Sequence, residues 1–182
     1  MSHNKLENKY KSFSNKLKNN IMELNKEYSN IIILCIGTNK VLGDSIGPVV
    51  GECLKKYENE YIKIYGTIEK NIDFLNAKNI IEEIYNKYIN PYIITIDAAL
   101  SKKNNVGEII VSKGYIKIGK ALEKNICFYS NINIKCVVGK YENINKNNFK
   151  ILNDIDEYKI NNMRDIVVYG IKELIENINI NV

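Results

Sequence analysis

The densest apolar stretch of the chain is Ile31-Ile32-Ile33-Leu34-Cys35-Ile36. A short run that is apolar at every position is what a strand covered on both faces requires. Gly37-Thr38-Asn39 breaks the run, and a short loop follows in which Gly43 precedes Asp44. Ser45 and Pro48 then provide a helix start, with a capping hydroxyl and a ring whose fixed φ suits a first turn. Ile46, Val49, Val50, Cys53, Leu54 and Tyr57 recur at helical spacing after it. The pattern predicts strand, glycine loop and helix, with one carboxylate at the turn. In open α/β sheets that position, beyond the carboxyl end of a strand, is where sites are built.

The same logic extends along the chain. In residues 1–29, Leu6, Tyr10, Phe13, Leu17, Ile21 and Leu24 form one apolar face of a helix. That face suits packing on the sheet or on a second copy of the chain. Tyr61–Tyr65 reads as a second strand, ended by Gly66-Thr67-Ile68-Glu69, with Asp73 in the next loop. Asn76 is placed to cap a helix whose buried face is Ala77, Ile80, Ile81, Ile84, Tyr85 and Tyr88. Beyond Pro91, Tyr92–Ile96 is a third strand, ending in Asp97-Ala98-Ala99-Leu100 with a second carboxylate at its end. Alternating strands and helices imply right-handed crossovers and a parallel sheet. Gly107–Ser112 reads as a short edge strand and Lys113–Tyr129 as loop. The alternation of Ile132, Ile134, Cys136 and Val138 predicts a strand with one covered face. Residues 139–150 read as loop. A last helix carries Met163, Ile166, Val167, Gly170, Ile171, Leu174 and Ile178 on one face. The expected organisation is a helical extension over 1–29 and a single α/β domain over 30–182.

Composition narrows the function. At 182 residues one core is expected. About one residue in six is Asn, spread along every segment, so the bias does not mark a low-complexity tract. The net charge of +5 comes from Lys interspersed with Glu and Asn, and the chain has a single Arg, Arg164. A nucleic-acid groove clusters Arg and Lys with aromatic residues, so a solvated surface is the expectation and nucleic acid is not an expected partner. No apolar run has the length of a membrane span, and the basic N-terminus lacks a signal-peptide core. Cys35, Cys53, Cys127 and Cys136 form no CxxC pair and read as reduced thiols of a cytoplasmic protein. The one His, His3, is at the terminus, which disfavours Cys–His and Ser–His catalysis.

Two phosphate-binding loops are excluded. Five residues separate Gly37 from Gly43, and Asp44 occupies the place of the Walker lysine, where it would repel a phosphate. GxGxxG is absent as well. The remaining chemistry is acidic. Asp44 taken alone would serve a helix N-terminus, and Asp97 alone would tie down a loop. Placed together past the ends of neighbouring strands, they form a pair in which both cannot readily ionise. Such a pair activates a water and protonates a leaving amine.

The segments CIGTNKVLGDSIGP, YGTIEKNIDFLN, IDAAL and the Asn162-Met163-Arg164 helix start resemble the YyaC family of spore-former proteins over roughly residues 30 to 178. That family is similar in fold to the germination protease of spores and to the hydrogenase maturation endopeptidases. The resemblance implies a phosphorylase/hydrolase-like three-layer α/β/α sandwich with a mostly parallel, mixed-edge sheet, and a peptidase-like domain over 30–182. It also implies catalytic roles for Asp44 and Asp97, with a protein or peptide substrate such as the small spore proteins. The expected setting is the sporulating cell or the spore interior. Gly37, Thr38, Gly43 and Ser45 would shape the substrate loop and supply N–H groups to a scissile carbonyl, with Glu69 and Asp73 near the same mouth. Asn71 and Asp73 stand where the family has Pro and His. No resident cofactor is expected, and nickel lacks the imidazole ligand it prefers. The alternatives are a peptidase-fold binding protein without activity, and a hydrolase holding a hard cation through Asp44, Asp97 and Asp73 or Glu69.

Overall fold

The computed structural model describes residues 3–21, 28–118, 126–141, 148–153 and 155–179. Its elements are α1 (His3–Ile21), β1 (Ile31–Cys35), a 3₁₀ turn (Leu42–Asp44), α2 (Ile46–Leu54), β2 (Ile62–Tyr65), α3 (Ala77–Lys87), β3 (Tyr92–Ser101), β4 (Ile109–Ile118), β5 (Ile126–Lys140), α4 (Asn148–Asn153) and α5 (Glu157–Asn179). The strands form one sheet in the order β2-β1-β3-β5-β4. β2, β1, β3 and β5 run parallel, and β4 closes one edge antiparallel to β5. This is the expected mostly parallel sheet with a mixed edge.

Strand alternation divides the core. Ile31, Ile33 and Cys35 of β1, Ile94 and Ile96 of β3, and Ile132, Ile134 and Cys136 of β5 face α2 and α5. Ile32 and Leu34 of β1 and Ile93 of β3 face α3, through its Ala77, Ile81 and Ile84. Helices therefore cover both faces, which gives three layers. β1 is fully buried along its length, as its unbroken apolar run requires. The apolar face of α1 lies on α5 of the same chain, with Phe13 and Leu17 packed over Gly170 and Tyr10 against Tyr169. The side chains of Leu6, Ile21, Leu24 and Ile178 lie outside those described.

Three local expectations are corrected. The described part of Lys113–Tyr129 is strand, because β4 runs on to Ile118 and β5 starts at Ile126; residues 119–125 lie outside the described residues. The polar positions of this arm hid its period. Its register shifts between Ser112 and Gly114, where Gly114 adopts φ +100°, and the buried Asn133 amide donates to the Gly114 carbonyl at 2.9 Å. Within 139–150, Lys140 still belongs to β5 and Asn148 begins α4; residues 142–147 lie outside the described residues. Neither expected hydroxyl or amide cap acts as a cap. Ser45 Oγ donates back to the Leu42 carbonyl at 2.7 Å, and Asn76 bridges the Asp73 N–H and the Asn71 carbonyl. Both close the loop that precedes their helix.

Gly47 and Gly51 let α2 rest on backbone. A Cβ on Gly47 would stand 2.1 Å from the Ile36 carbonyl oxygen, and one on Gly51 would stand 2.0 Å from that of Gly66. In an open helix Gly→Ala gains about 1 kcal/mol. Gly47→Ala should reverse that sign and cost about 1–3 kcal/mol, because rigid backbone meets the added methyl. Urea unfolding of the two proteins measures it, and a stabilised variant would contradict the packing.

Candidate active site

β1 and β3 run side by side only to Cys35 and Ile96, and the Ile36 N–H to Ile96 carbonyl bond, 2.8 Å, is the last contact of that kind. β3 continues to Ser101 against β5 alone. Asp97 is therefore not past the end of its own strand, as its sequence position implied. It is the first β3 residue that β1 leaves uncovered. The alternation of β3 puts Asp97 on the same face as Ile93 and Thr95, the α3 face.

Asp44 comes to this place through the chain reversal after β1. Gly37 sits at φ +137°, and a Cβ there would lie 2.0 Å from the Asp44 carbonyl oxygen, so no other residue allows the loop to fold back so closely. The Thr38 N–H then donates to Asp44 twice, to the carboxylate Oδ2 at 3.0 Å and to the backbone oxygen at 3.1 Å. Ser45 anchors the 3₁₀ turn as above. Gly43 is buried against α4 and the residue beyond it, where a Cβ would meet Ile155 Cδ1 at 2.3 Å and the Leu152 oxygen at 2.6 Å. The Gly37 N–H donates to the Ile72 carbonyl at 2.8 Å, which lays residues 71–73 along the same loop. The Gly37 and Thr38 N–H groups expected to polarise a substrate carbonyl are thus both spent on holding the loop.

Asp73 is half-buried next to Ile72 and accepts the Leu75 N–H at 2.8 Å, and its charge acts on Asp44. Glu69 is exposed on the turn closed by the Thr67 N–H to Lys70 carbonyl bond, 3.2 Å, with no hydrogen bond or ion pair to another described residue. The structure brings Asp44, Asp97 and Asp73 into one electrostatic neighbourhood and leaves Glu69 at its margin.

Burial, the largest influence, raises the Asp44 carboxyl from 3.8 to about 6; the Thr38 N–H works against it and Asp73 adds to it. Asp97 is raised further, from 3.8 to about 8, by enclosure first and by the Asp44 charge second. Lys135 and the Ala98 N–H pull it back. At neutral pH the Asp44 carboxyl is ionised and Asp97 holds its proton. Lys135 was not singled out from sequence. Its only signal was the alternation over Ile132, Ile134 and Cys136, which puts 131, 133 and 135 on the opposite face. Among the described residues no three His, Cys, Asp or Glu side chains stand close enough together to hold a metal ion. Among the described residues, no such side-chain cluster is present for nickel or for the hard-cation alternative.

The fold and site together are those of a three-layer α/β protein with two interacting carboxyls near the end of β1, one on the turn after β1 and one within β3. The family model described as "Protein of unknown function (DUF1256)" matches residues 1–178, and the chain belongs to that family. The "Uncharacterized protein YyaC" of Bacillus subtilis (strain 168) is 32% identical over 108 residues, 59% of this chain and 53% of that protein. The match thus spans about half the length of that curated relative. Among solved structures, the NiFe hydrogenase maturation protease HycI of Thermococcus kodakarensis KOD1 superposes with a TM-score of 0.48 and 15% identity, covering 86% of this chain and 99% of that one. The hydrogenase maturating endopeptidase HybD of E. coli gives 0.42 and 15%, covering 79% and 93%. No helix among the described residues is long and apolar enough to cross a membrane.

The raised carboxyls set a pH dependence of stability. Well below pH 3.8 both groups are protonated folded or unfolded, and the folded state bears no cost from them. As pH rises the unfolded chain ionises first, so the contribution of Asp44 is lost by about pH 6 and that of Asp97 by about pH 8. The thermal midpoint of the wild type should therefore fall relative to that of Asp97→Asn as pH rises through this window, then run parallel above it. Parallel curves throughout would contradict the raised Asp97.

Proposed function

We propose that this protein is a peptidase of spore formation or germination that cleaves a peptide bond with Asp44 as general base and Asp97 as general acid. What carries the reading is the division of two neighbouring carboxyls by environment, with Asp44 at about 6 and Asp97 at about 8. A group is an efficient proton donor or acceptor when its pKa lies near the working pH, and these two bracket neutrality. The family resemblance supports the spore setting, the cytoplasm of the sporulating cell or the spore interior, and a protein or peptide substrate.

In the reaction the Asp44 carboxylate removes a proton from a water molecule, whose oxygen attacks the carbonyl carbon of the substrate. Asp97 gives its proton to the amide nitrogen, the C–N bond breaks, and a carboxylic acid and an amine leave. Asp44 is then protonated and Asp97 ionised, and exchange with solvent restores the starting state. Thr38 fixes the Asp44 oxygen, Gly37 makes the reversal possible, and Gly43 and Ser45 hold the turn that presents it. Glu69 and Asp73 border the mouth, with Asp73 raising the basicity of Asp44.

Cleavage of small spore proteins or a peptide library should follow a bell-shaped pH profile, falling below about 6 as Asp44 protonates and above about 8 as Asp97 ionises. Asn copies the shape of Asp but does not exchange a proton in this range. Asp97→Asn should abolish cleavage while leaving the thermal midpoint unchanged or higher, since it removes a carboxyl that burial and Asp44 disfavour. Full activity in that variant would remove Asp97 from the mechanism. A wild type that cleaves nothing from mildly acidic to neutral pH would leave the binding-protein reading.

A further inference from the structure

Hydrolysis by an acid and a base leaves one requirement open, a positive group where the carbonyl oxygen gathers charge. The Gly37 and Thr38 N–H groups do not meet it, being bonded to Ile72 and Asp44. Among the described residues, Lys135 is the cation that acts on Asp97. Lys135 is the direct register partner of Asp97 across the parallel β3–β5 pair, and paired residues on neighbouring strands project from the same face. Its side chain is half-buried. It makes no hydrogen bond or ion pair with another described residue, unlike Lys140 further along β5, whose Nζ donates to Asn105 at 3.0 Å.

We infer that Lys135 completes the acid pair, standing opposite Asp97 across the β3–β5 register and facing the carbonyl oxygen of a bound peptide. This rests on the hydrolytic reading for its second half, while the sheet register carries its first. The charged groups acting on Asp97 are Asp44 from the 3₁₀ turn and Lys135 from β5, while Asp73 acts on Asp44. Lys135 and Asp44 thus pull the Asp97 proton in opposite directions. As water adds, the carbonyl π electrons move to oxygen, and the ammonium neutralises that charge without giving up a proton. When the C–N bond breaks, the oxygen returns to carbonyl form and Lys135 is unchanged.

The test is Lys135→Met, which keeps the stem and removes the charge, with Lys135→Arg as a second variant and Lys140→Met as control. The Asp97 carboxyl is titrated by ¹³C NMR in each, and cleavage is assayed in parallel. Lys135→Met should shift the Asp97 titration to higher pH and move the alkaline limb of the activity profile with it. It should also lower kcat by about 100-fold with KM little changed. Lys135→Arg should restore most of both, and Lys140→Met should change neither. An unmoved Asp97 titration in folded Lys135→Met overturns the inference whether or not the wild type cleaves anything. A moved titration with unchanged kcat overturns the oxygen-facing role. A moved titration in Lys135→Met, with a wild type that cleaves nothing, supports the charge-setting role and fails the hydrolytic reading instead.

Discussion

The contact on which the site depends is backbone against backbone: the start of α2 lying on the end of β1. A Cβ on Gly47 would stand 2.1 Å from the Ile36 oxygen, so the chain leaves the sheet at Ile36 and returns to the same spot by Gly47. A loop pinned at both ends to one point has to reverse above it. The reversal puts Gly37 at φ +137° and brings the Asp44 backbone within reach of the Thr38 N–H. Asp44 is then held over the end of β1, and Asp97 is the residue of β3 that this same end leaves bare. One close approach of helix to strand therefore fixes both acids, although 52 residues of chain lie between their positions 44 and 97.

The electrostatic state of the pair follows from that placement. Two carboxyls enclosed by protein and near each other do not both ionise cheaply, and the second proton stays on the more enclosed one. Folding carries a cost at neutral pH that an apolar or amide side chain at 97 would not impose. Sites built for chemistry commonly retain such a cost, because relieving it would remove the function. The surroundings limit it locally. On the same face of β3 the neighbouring Thr95 hydroxyl donates to Asn133 at 2.8 Å, and Asn133 in turn holds the β4 register shift. Buried polar groups there are paired with each other.

The alternation of elements, the buried strands and the apolar faces of α2, α3 and α5 were legible in the sequence, because each is a local record of which side of one element meets the core. Ile31–Ile36 and the Met163–Leu174 stripe are such records. Asp44 was legible for a related reason, since a carboxylate between a glycine loop and a helix has few ordinary uses. Other features depended on partners distant in sequence. β4 and β5 extend through Lys113–Ile118 and Ile126–Tyr129 because each pairs with the other across residues their own period did not reveal. Ser45 and Asn76 sit where caps belong, yet their bonds close loops because nearby carbonyl and N–H groups compete for them. Asp97 lies inside a strand, and only the early end of its neighbour leaves it unpaired on that side. Lys135 carried no motif at all, and its meaning comes from register. Periodicity encodes burial, which each segment settles for itself. Which backbone donors remain free, and which charges face one another, is decided by elements that meet only when the sheet is assembled.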